Sequence, residues 1–265
     1  MSSNGHPKDA NKSVPERVLG KEAFRAPPPK RFYKTVQVSP VIKPGGEMAY
    51  GILLDGRPVK TPKKHPLEVL HKGLAEAIAA EWARADKVID PALMPFTRMA
   101  NTALDAVAGS KDLVAADIVS FAGSDHLCYR AADDDRLARR QASHWDSIIG
   151  WAAARLDARF IVTKGVMPVG QPQQALSAFA AELARFDAFG LTALHVMTTL
   201  SGSAILALAH GLGAITAEAA WLAAHVDEDV QIEQWGSDSE AEQRRAARWQ
   251  EFKAASQMIE FTKTA

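Results

Sequence analysis

Acidic side chains crowd into one short stretch of the chain, beside a histidine and two tryptophans. The acids are Asp227, Glu228, Asp229 and Glu233, and they lie between Trp221 and Trp235. Carboxylates next to an imidazole can perform general acid–base catalysis, whereas carboxylates beside an exposed aromatic side chain can bind a partner protein. His225 lies two residues before Asp227. That spacing on a helix points the two side chains apart, which argues against a proton relay between them.

This stretch is predicted to form one helix that ends in a sharp turn. Its inner face would be formed by Trp221, Leu222, Val226 and Val230. The acids would then lie in the second half of that helix, where the negative end of the dipole makes each exposed carboxylate unfavourable by up to about 1 kcal/mol. Gly236 is typical of a helix end, and Ser237 to Glu240 has the S-x-x-E pattern of a capping box for the next helix. We therefore predict a helical corner, residues 225–240, with Trp235 at its apex.

Two interpretations of the corner are open from the residues alone. In the structural interpretation, Glu240 accepts a hydrogen bond from the Ser237 amide, Trp235 packs as a wedge and the acids form a hydrated surface. In the binding interpretation, the corner is an acidic docking edge with an aromatic anchor. The candidate partner-binding residues are Asp229, Glu233, Trp235, Asp238 and Glu240.

No other motif in the sequence specifies catalysis, a metal or a cofactor. Gly165 to Gly170 has the glycine spacing of a phosphate loop, but Gln-Pro follows where Lys and Ser or Thr are required, so we predict no nucleotide site. The 8 histidines form no metal-binding pattern, and Cys128 is the single cysteine. We predict that the protein is not an enzyme. The alternative is a small hydrolase or transferase that combines His195 and His210, otherwise expected to be satisfied core residues, with acids of the corner.

The charge balance gives no reason to expect a nucleic-acid or membrane partner. Lys plus Arg and Asp plus Glu number 31 each, so the formal charge is zero. A basic cluster between Arg57 and Lys72 lacks interleaved aromatic residues and is interpreted as a solvated surface. No apolar run reaches the roughly 18 residues of a membrane span. A lone cysteine cannot form an internal disulfide, and we predict a cytoplasmic protein with Cys128 in its core.

The chain as a whole predicts an α+β fold, with a small N-terminal antiparallel β domain followed by a larger all-helical domain. Residues 1–30 are polar and proline-rich and are interpreted as a disordered leader. Alternating apolar residues and the hairpin dipeptide Asp55-Gly56 assign residues 31–65 to the β domain. Helical periodicity that begins at Pro66 assigns residues 66–265 to the helical domain, with a single buried helix over Leu191 to Leu208. The first helix would carry Leu67, Leu70, Leu74, Ile78 and Trp82 on one face.

Six collinear blocks make the chain similar to a known family. They are Arg31–Val38, Leu54–Pro62, Glu81–Trp82, Met94–Asp105, His144–Asp146 and Gln231–Glu240. Together they resemble the assembly chaperone of the F-type ATP synthase catalytic head, the one that holds the free α subunit. Members of that family occur in mitochondria and in α-proteobacteria. Three acids in the leader argue against a mitochondrial transit peptide, so a mitochondrial matrix location is disfavoured and the bacterial form is expected.

The resemblance implies a holding function. Such a protein binds the unassembled α subunit at the surface that later faces the β subunit, and it releases the α subunit when β arrives. It needs no nucleotide and no other cofactor. The resemblance also implies that the acid shortly after the Trp-Gly pair, here Glu240, matters for function and that Trp82 is a sensitive position. Because Trp82 lies on the stripe of Leu74 and Ile78, we predict a structural role for it.

Overall fold

A small antiparallel sheet forms the N-terminal part of the fold. The computed structural model describes residues 29–132 and 135–263, so residues 1–28 of the predicted leader lie outside the described residues. The strands are β1 (Val36–Ile42), β2 (Met48–Leu54), β3 (Arg57–Pro58) and β4 (Glu68–Val69). β2 pairs antiparallel with each of the other three. Asp55 and Gly56 have positive φ angles of 48° and 77°, as a tight two-residue hairpin requires.

The predicted helix start at Pro66 is wrong, because the sheet continues through the following residues. The Leu67 amide donates to the Val59 carbonyl at 2.9 Å, and β4 then pairs with β2. The first helix, α1, spans Lys72–Arg84. Leu67 is buried by the sheet. Its apolar character fits a helical stripe and a buried strand position equally well, so the periodicity alone was ambiguous.

The rest of the described chain is mainly helical, which confirms the predicted α+β fold. Its helices are α2 (Pro95–Thr102), α3 (Lys111–Gly123), α4 (Asp135–Leu156), α5 (Gln173–Leu183), α6 (Ala188–Ser201), α7 (Ala204–Gly211), α8 (Ala217–Ala224), α9 (Val226–Trp235) and α10 (Ser239–Lys263). A π-helical turn over Ala103–Val107 follows α2, and β5 (Tyr129–Arg130) pairs in parallel with β6 (Thr163–Lys164). None of the helices in the described ranges has both the length and the hydrophobicity that crossing a membrane requires.

Helix α6 is buried along most of its length and packs against α3, α7 and α10. The single helix predicted over Leu191 to Leu208 is interrupted at Gly202, whose φ of 72° ends α6 in the left-handed conformation. Ser203 then caps α7: its hydroxyl accepts from the Leu206 amide at 3.0 Å and donates to the buried Asp125 carboxylate at 2.9 Å. The apolar pattern runs on across the break, and for that reason the sequence did not reveal it.

Two adjacent residues of α1 connect the sheet with the helices. The buried Glu81 carboxylate accepts hydrogen bonds from the Phe96 and Thr97 amides at 2.7 and 2.8 Å, which satisfies the first turn of α2. Trp82 is half-buried, packs against the core and lies 5.7 Å from the Tyr33 ring. The Tyr33 hydroxyl donates to the Trp82 carbonyl at 2.6 Å. These contacts attach the chain before β1 to the first helix.

Candidate partner-binding surface

Three of the four acids occupy the beginning of a helix, so their predicted position near a helix C-terminus is wrong, whereas Glu233 lies in the last turn of α9 as predicted. α8 ends and α9 begins on either side of His225, whose φ of −115° and ψ of 19° depart from the helical conformation. The His225 ring lies 3.9 Å from the Trp221 ring, and its Nδ1 lies 2.8 Å from the Trp221 carbonyl. The first turn of α9 contains Asp227, Glu228 and Asp229. The helix dipole therefore favours these charges.

The predicted inner face of this stretch is also partly wrong. Trp221, Val226 and Val230 are buried, but Leu222 is 50% exposed. Adjacent residues on a helix point about 100° apart, so Leu222 faces a different side of α8 from Trp221.

A glycine and an aspartate form the turn between α9 and α10. Gly236 has a φ of 84°, and the Asp238 carboxylate accepts hydrogen bonds from the first amides of α10 at 3.2 and 3.4 Å. Asp238, and not Ser237, therefore caps α10, so the predicted capping box is wrong. The Glu240 side chain points forward along α10 and pairs with Arg244 one turn later. Surface pairs of this spacing are weak, so Glu240 can exchange this partner for another.

Four of the five candidate partner-binding residues are exposed, and three of these, Trp235, Asp238 and Glu240, have no ion pair with another helix among the described residues. Trp235 is 78% exposed, the Glu240 side chain is 78% exposed, and Asp238 is exposed as well. Trp235 is therefore not a packing wedge. An exposed indole beside carboxylates is unusual for a hydrated surface and typical of a protein-binding hot spot.

The other two candidates, Asp229 and Glu233, form ion pairs with arginines of neighbouring helices. Glu233 bridges two arginines of α4, with Arg140 at 2.6 Å and Arg136 at 2.9 Å. Asp229 pairs with Arg245 of α10 at 2.6 Å. These pairs connect α9 with both neighbouring helices. We infer that these two carboxylates position the apex, whereas Trp235, Asp238 and Glu240 are available to a partner.

An open groove of 450 Å³ lies between α9 and α10, and we call it the corner groove. Its lining residues are Glu228, Gln231, Ile232, Trp235, Gly236, Ser237, Asp238, Ala241, Glu242 and Arg245. Glu242 was not among the candidates from the sequence. The first turn of α10 lies beside α9 because of how the two helices pack, and the spacing of acids along the sequence does not indicate that packing.

His195 and His210, which a hydrolase or transferase site would combine with the acids of the corner, lie in separate environments. Nε2 of His195 lies 2.7 Å from Oδ2 of Asp117. The His210 ring lies between the Ile215 carbonyl at 3.0 Å and the Ser256 hydroxyl at 2.9 Å, and burial lowers the pKa of His210. Neither histidine lines the corner groove. Within residues 29–132 and 135–263, no group of three or more His, Cys, Asp or Glu side chains is arranged to hold a metal ion.

Two further surface features were not expected from the sequence. The loop with phosphate-loop glycine spacing exposes Val166 and Met167, at 91% and 75%. A second groove, of 690 Å³, lies where β2 approaches the helices, and it includes Met48, His71 and Phe186. Neither feature combines an exposed aromatic ring with several carboxylates. The corner is therefore the best-supported candidate surface.

Comparisons with known proteins agree with the resemblance that the sequence blocks indicated. Residues 30–153 match the family described as ATP12 chaperone protein. The structure of an Agrobacterium tumefaciens protein, proposed to be a chaperone, has been solved and is similar to this chain. The two sequences are 46% identical, the match covers 88% of this chain and 85% of that chain, and the TM-score is 0.83. Atp12 from Paracoccus denitrificans is 42% identical, with 88% and 98% covered and a TM-score of 0.81. The chain therefore belongs to the ATP12 chaperone family.

Proposed function

We propose that this protein is an assembly chaperone of the F-type ATP synthase. It holds the unassembled α subunit by masking the surface that later faces the β subunit, and the β subunit displaces it. Membership of the ATP12 chaperone family supports an assembly role. We choose the corner as the client-binding surface because the exposed Trp235 indole lies beside carboxylates at its apex.

The chemistry of the apex suits a holding protein that must release its client. An exposed aromatic side chain supplies contact area, and carboxylates at the rim supply orientation and fast association more than tight affinity. Glu240 pairs with Arg244 in the free protein and exchanges that weak pair for an arginine of the client. A contact of this kind can be displaced by a partner with a larger interface. The solved relatives come from bacteria, and we propose the bacterial cytoplasm as the site of action.

The proposal is tested by mixing purified α subunit, which is expected to aggregate alone, with this protein and measuring the soluble complex. Glu240→Gln is expected to lower retention of the α subunit while the melting temperature stays the same, because Glu240 is exposed and its ion pair is weak. The matched control is Glu218→Gln, which changes an exposed acid in the first turn of another helix, α8.

Addition of β subunit is expected to release the chaperone from the complex. Two results contradict the proposal. One is an α subunit that aggregates equally with and without this protein. The other is a stable ternary complex of chaperone, α and β, since both proteins would then bind different surfaces of α.

A further inference from the structure

The corner groove carries more negative charge than the surrounding chain neutralises. Glu228, Asp238 and Glu242 line it, and the one basic residue among its described lining, Arg245, is already paired with Asp229 at 2.6 Å. Among the described residues, the basic side chain within 4 Å of any of the three is the His225 ring, 3.8 Å from Glu228. Burial lowers the pKa of His225 and favours its neutral form. Three carboxylates thus share one open space: Asp238 caps α10, and Glu228 and Glu242 have no arginine or lysine within 4 Å among the described residues.

The groove also has an apolar and aromatic wall. Ile232 and Trp235 lie one helical turn apart on α9 and both line it. A flat ring beside carboxylates is suited to a planar cation, since a guanidinium can stack on an indole and direct its N–H groups to carboxylates at the same time. The volume of 450 Å³ is within the range of sites that enclose small ligands, and it exceeds what one arginine side chain needs.

We propose that the corner groove binds an arginine side chain of the client protein, with the guanidinium stacked on Trp235 and paired to Glu228 and Glu242. This inference rests on the proposed function, because the client is the subunit that the chaperone holds. Lysine fits the groove less well, since an ammonium group neither stacks on the ring nor binds carboxylates as a planar fork. The inference adds to the role of Glu240, which lies outside the groove lining.

The walls of the corner groove are held in place by ion pairs in the free protein. The ion pair between Asp229 and Arg245 joins its two walls, and the pair between Glu233 and Arg140 fixes α9 on α4. A site that already has its bound shape loses less conformational entropy on binding. The matched pair Asp229–Arg245 also keeps Arg245 from neutralising Glu228 or Glu242.

The first test removes both glutamate charges in the full chain, with the double variant Glu228→Gln and Glu242→Gln. Its affinity for purified α subunit is expected to fall at least about tenfold and to depend less on salt. The control double variant, Asp86→Asn with Asp112→Asn, removes two exposed charges elsewhere and is expected to bind like wild type. Unchanged affinity of the glutamine variant overturns the groove assignment. Failure of the wild-type protein to bind the α subunit overturns the proposed function instead.

A second test needs no client. Acetyl-arginine amide and its neutral analogue acetyl-citrulline amide are titrated at millimolar concentrations, and the indole N–H signal of Trp235 is followed by NMR. The signal is assigned with Trp235→Phe. A shift is expected with the arginine compound only, and it is expected to vanish in the double glutamine variant. Equal shifts with both compounds, or no shift with arginine, overturn the assignment of a guanidinium to this groove.

Discussion

The same substitution, tryptophan to arginine, can be compared at Trp82, which is half-buried, and at Trp235, which is exposed. Trp82→Arg removes an indole that packs beside Tyr33 and places a guanidinium at the edge of the core. Arg31 already occupies this region: its Nε donates to the Tyr33 carbonyl at 3.1 Å, and its guanidinium lies 4.7 Å from the Tyr33 ring centre. The substitution thus combines lost packing with a new contact between like charges.

The expected loss of stability follows from these two effects. Truncation of a fully buried tryptophan costs about 3–5 kcal/mol, so a half-buried one should lose about 2–3 kcal/mol of packing. A second cation close to Arg31 adds about 1–2 kcal/mol at the effective dielectric of a protein surface. The sum, about 3–5 kcal/mol, is a large part of the 5–15 kcal/mol that stabilises a typical domain. We therefore expect little soluble Trp82→Arg protein at growth temperature.

Urea unfolding and the soluble fraction on expression measure this effect. Trp235→Arg is the control, because it makes the same change at a side chain that is 78% exposed. It should change stability by less than about 1 kcal/mol and still lose retention of the α subunit. A Trp82→Arg protein that is as stable as wild type but fails to hold the α subunit would make Trp82 a client contact. That result would refute the structural role that we assign to it.

Three further predictions concern the supports of the fold. Burial raises the pKa of Glu81, so the wild-type protein should gain stability relative to Glu81→Gln as the pH falls through the folded-state pKa. Urea unfolding at several acid pH values measures this difference. The reverse trend would mean that the hydrogen bonds to the Glu81 carboxylate outweigh its burial. Arg245→Asp should weaken α-subunit binding, and adding Asp229→Arg should restore part of the affinity; no restoration speaks against a positioning role for this pair. Gly202→Ala should lower the free energy of unfolding by about 1 kcal/mol, because alanine is strained at a φ of 72°; a smaller loss in urea would show that the loop relaxes.

Local signals predicted the features that depend on neighbouring residues in the chain. The Asp55-Gly56 hairpin and the helix end at Gly236 are of this kind. In each case a short pattern has one favoured backbone conformation.

Two of the errors occurred where an apolar pattern passes through a break in the backbone. The chain leaves the helix at His225 and at Gly202 although the hydrophobic spacing continues on both sides. At His225 the ring packs on Trp221, which is a contact that a helical-wheel argument does not consider. The position of the break decides which end of the helix dipole Asp227, Glu228 and Asp229 meet, and so it reverses the sign of their contribution to stability.

The corner illustrates why a holding protein benefits from placing similar carboxylates in different surroundings. Glu233 is satisfied by two arginines of its own chain, so it stabilises the angle between α9 and α4 and offers little to a client. Glu228 and Glu242 have no arginine of their own among the described residues and lie beside an exposed indole. A client cation therefore gains its full interaction with them, and the rigid frame means that little entropy is lost on binding. Because this surface stays open to water, the interaction is screened and weak enough for an arriving subunit to replace it.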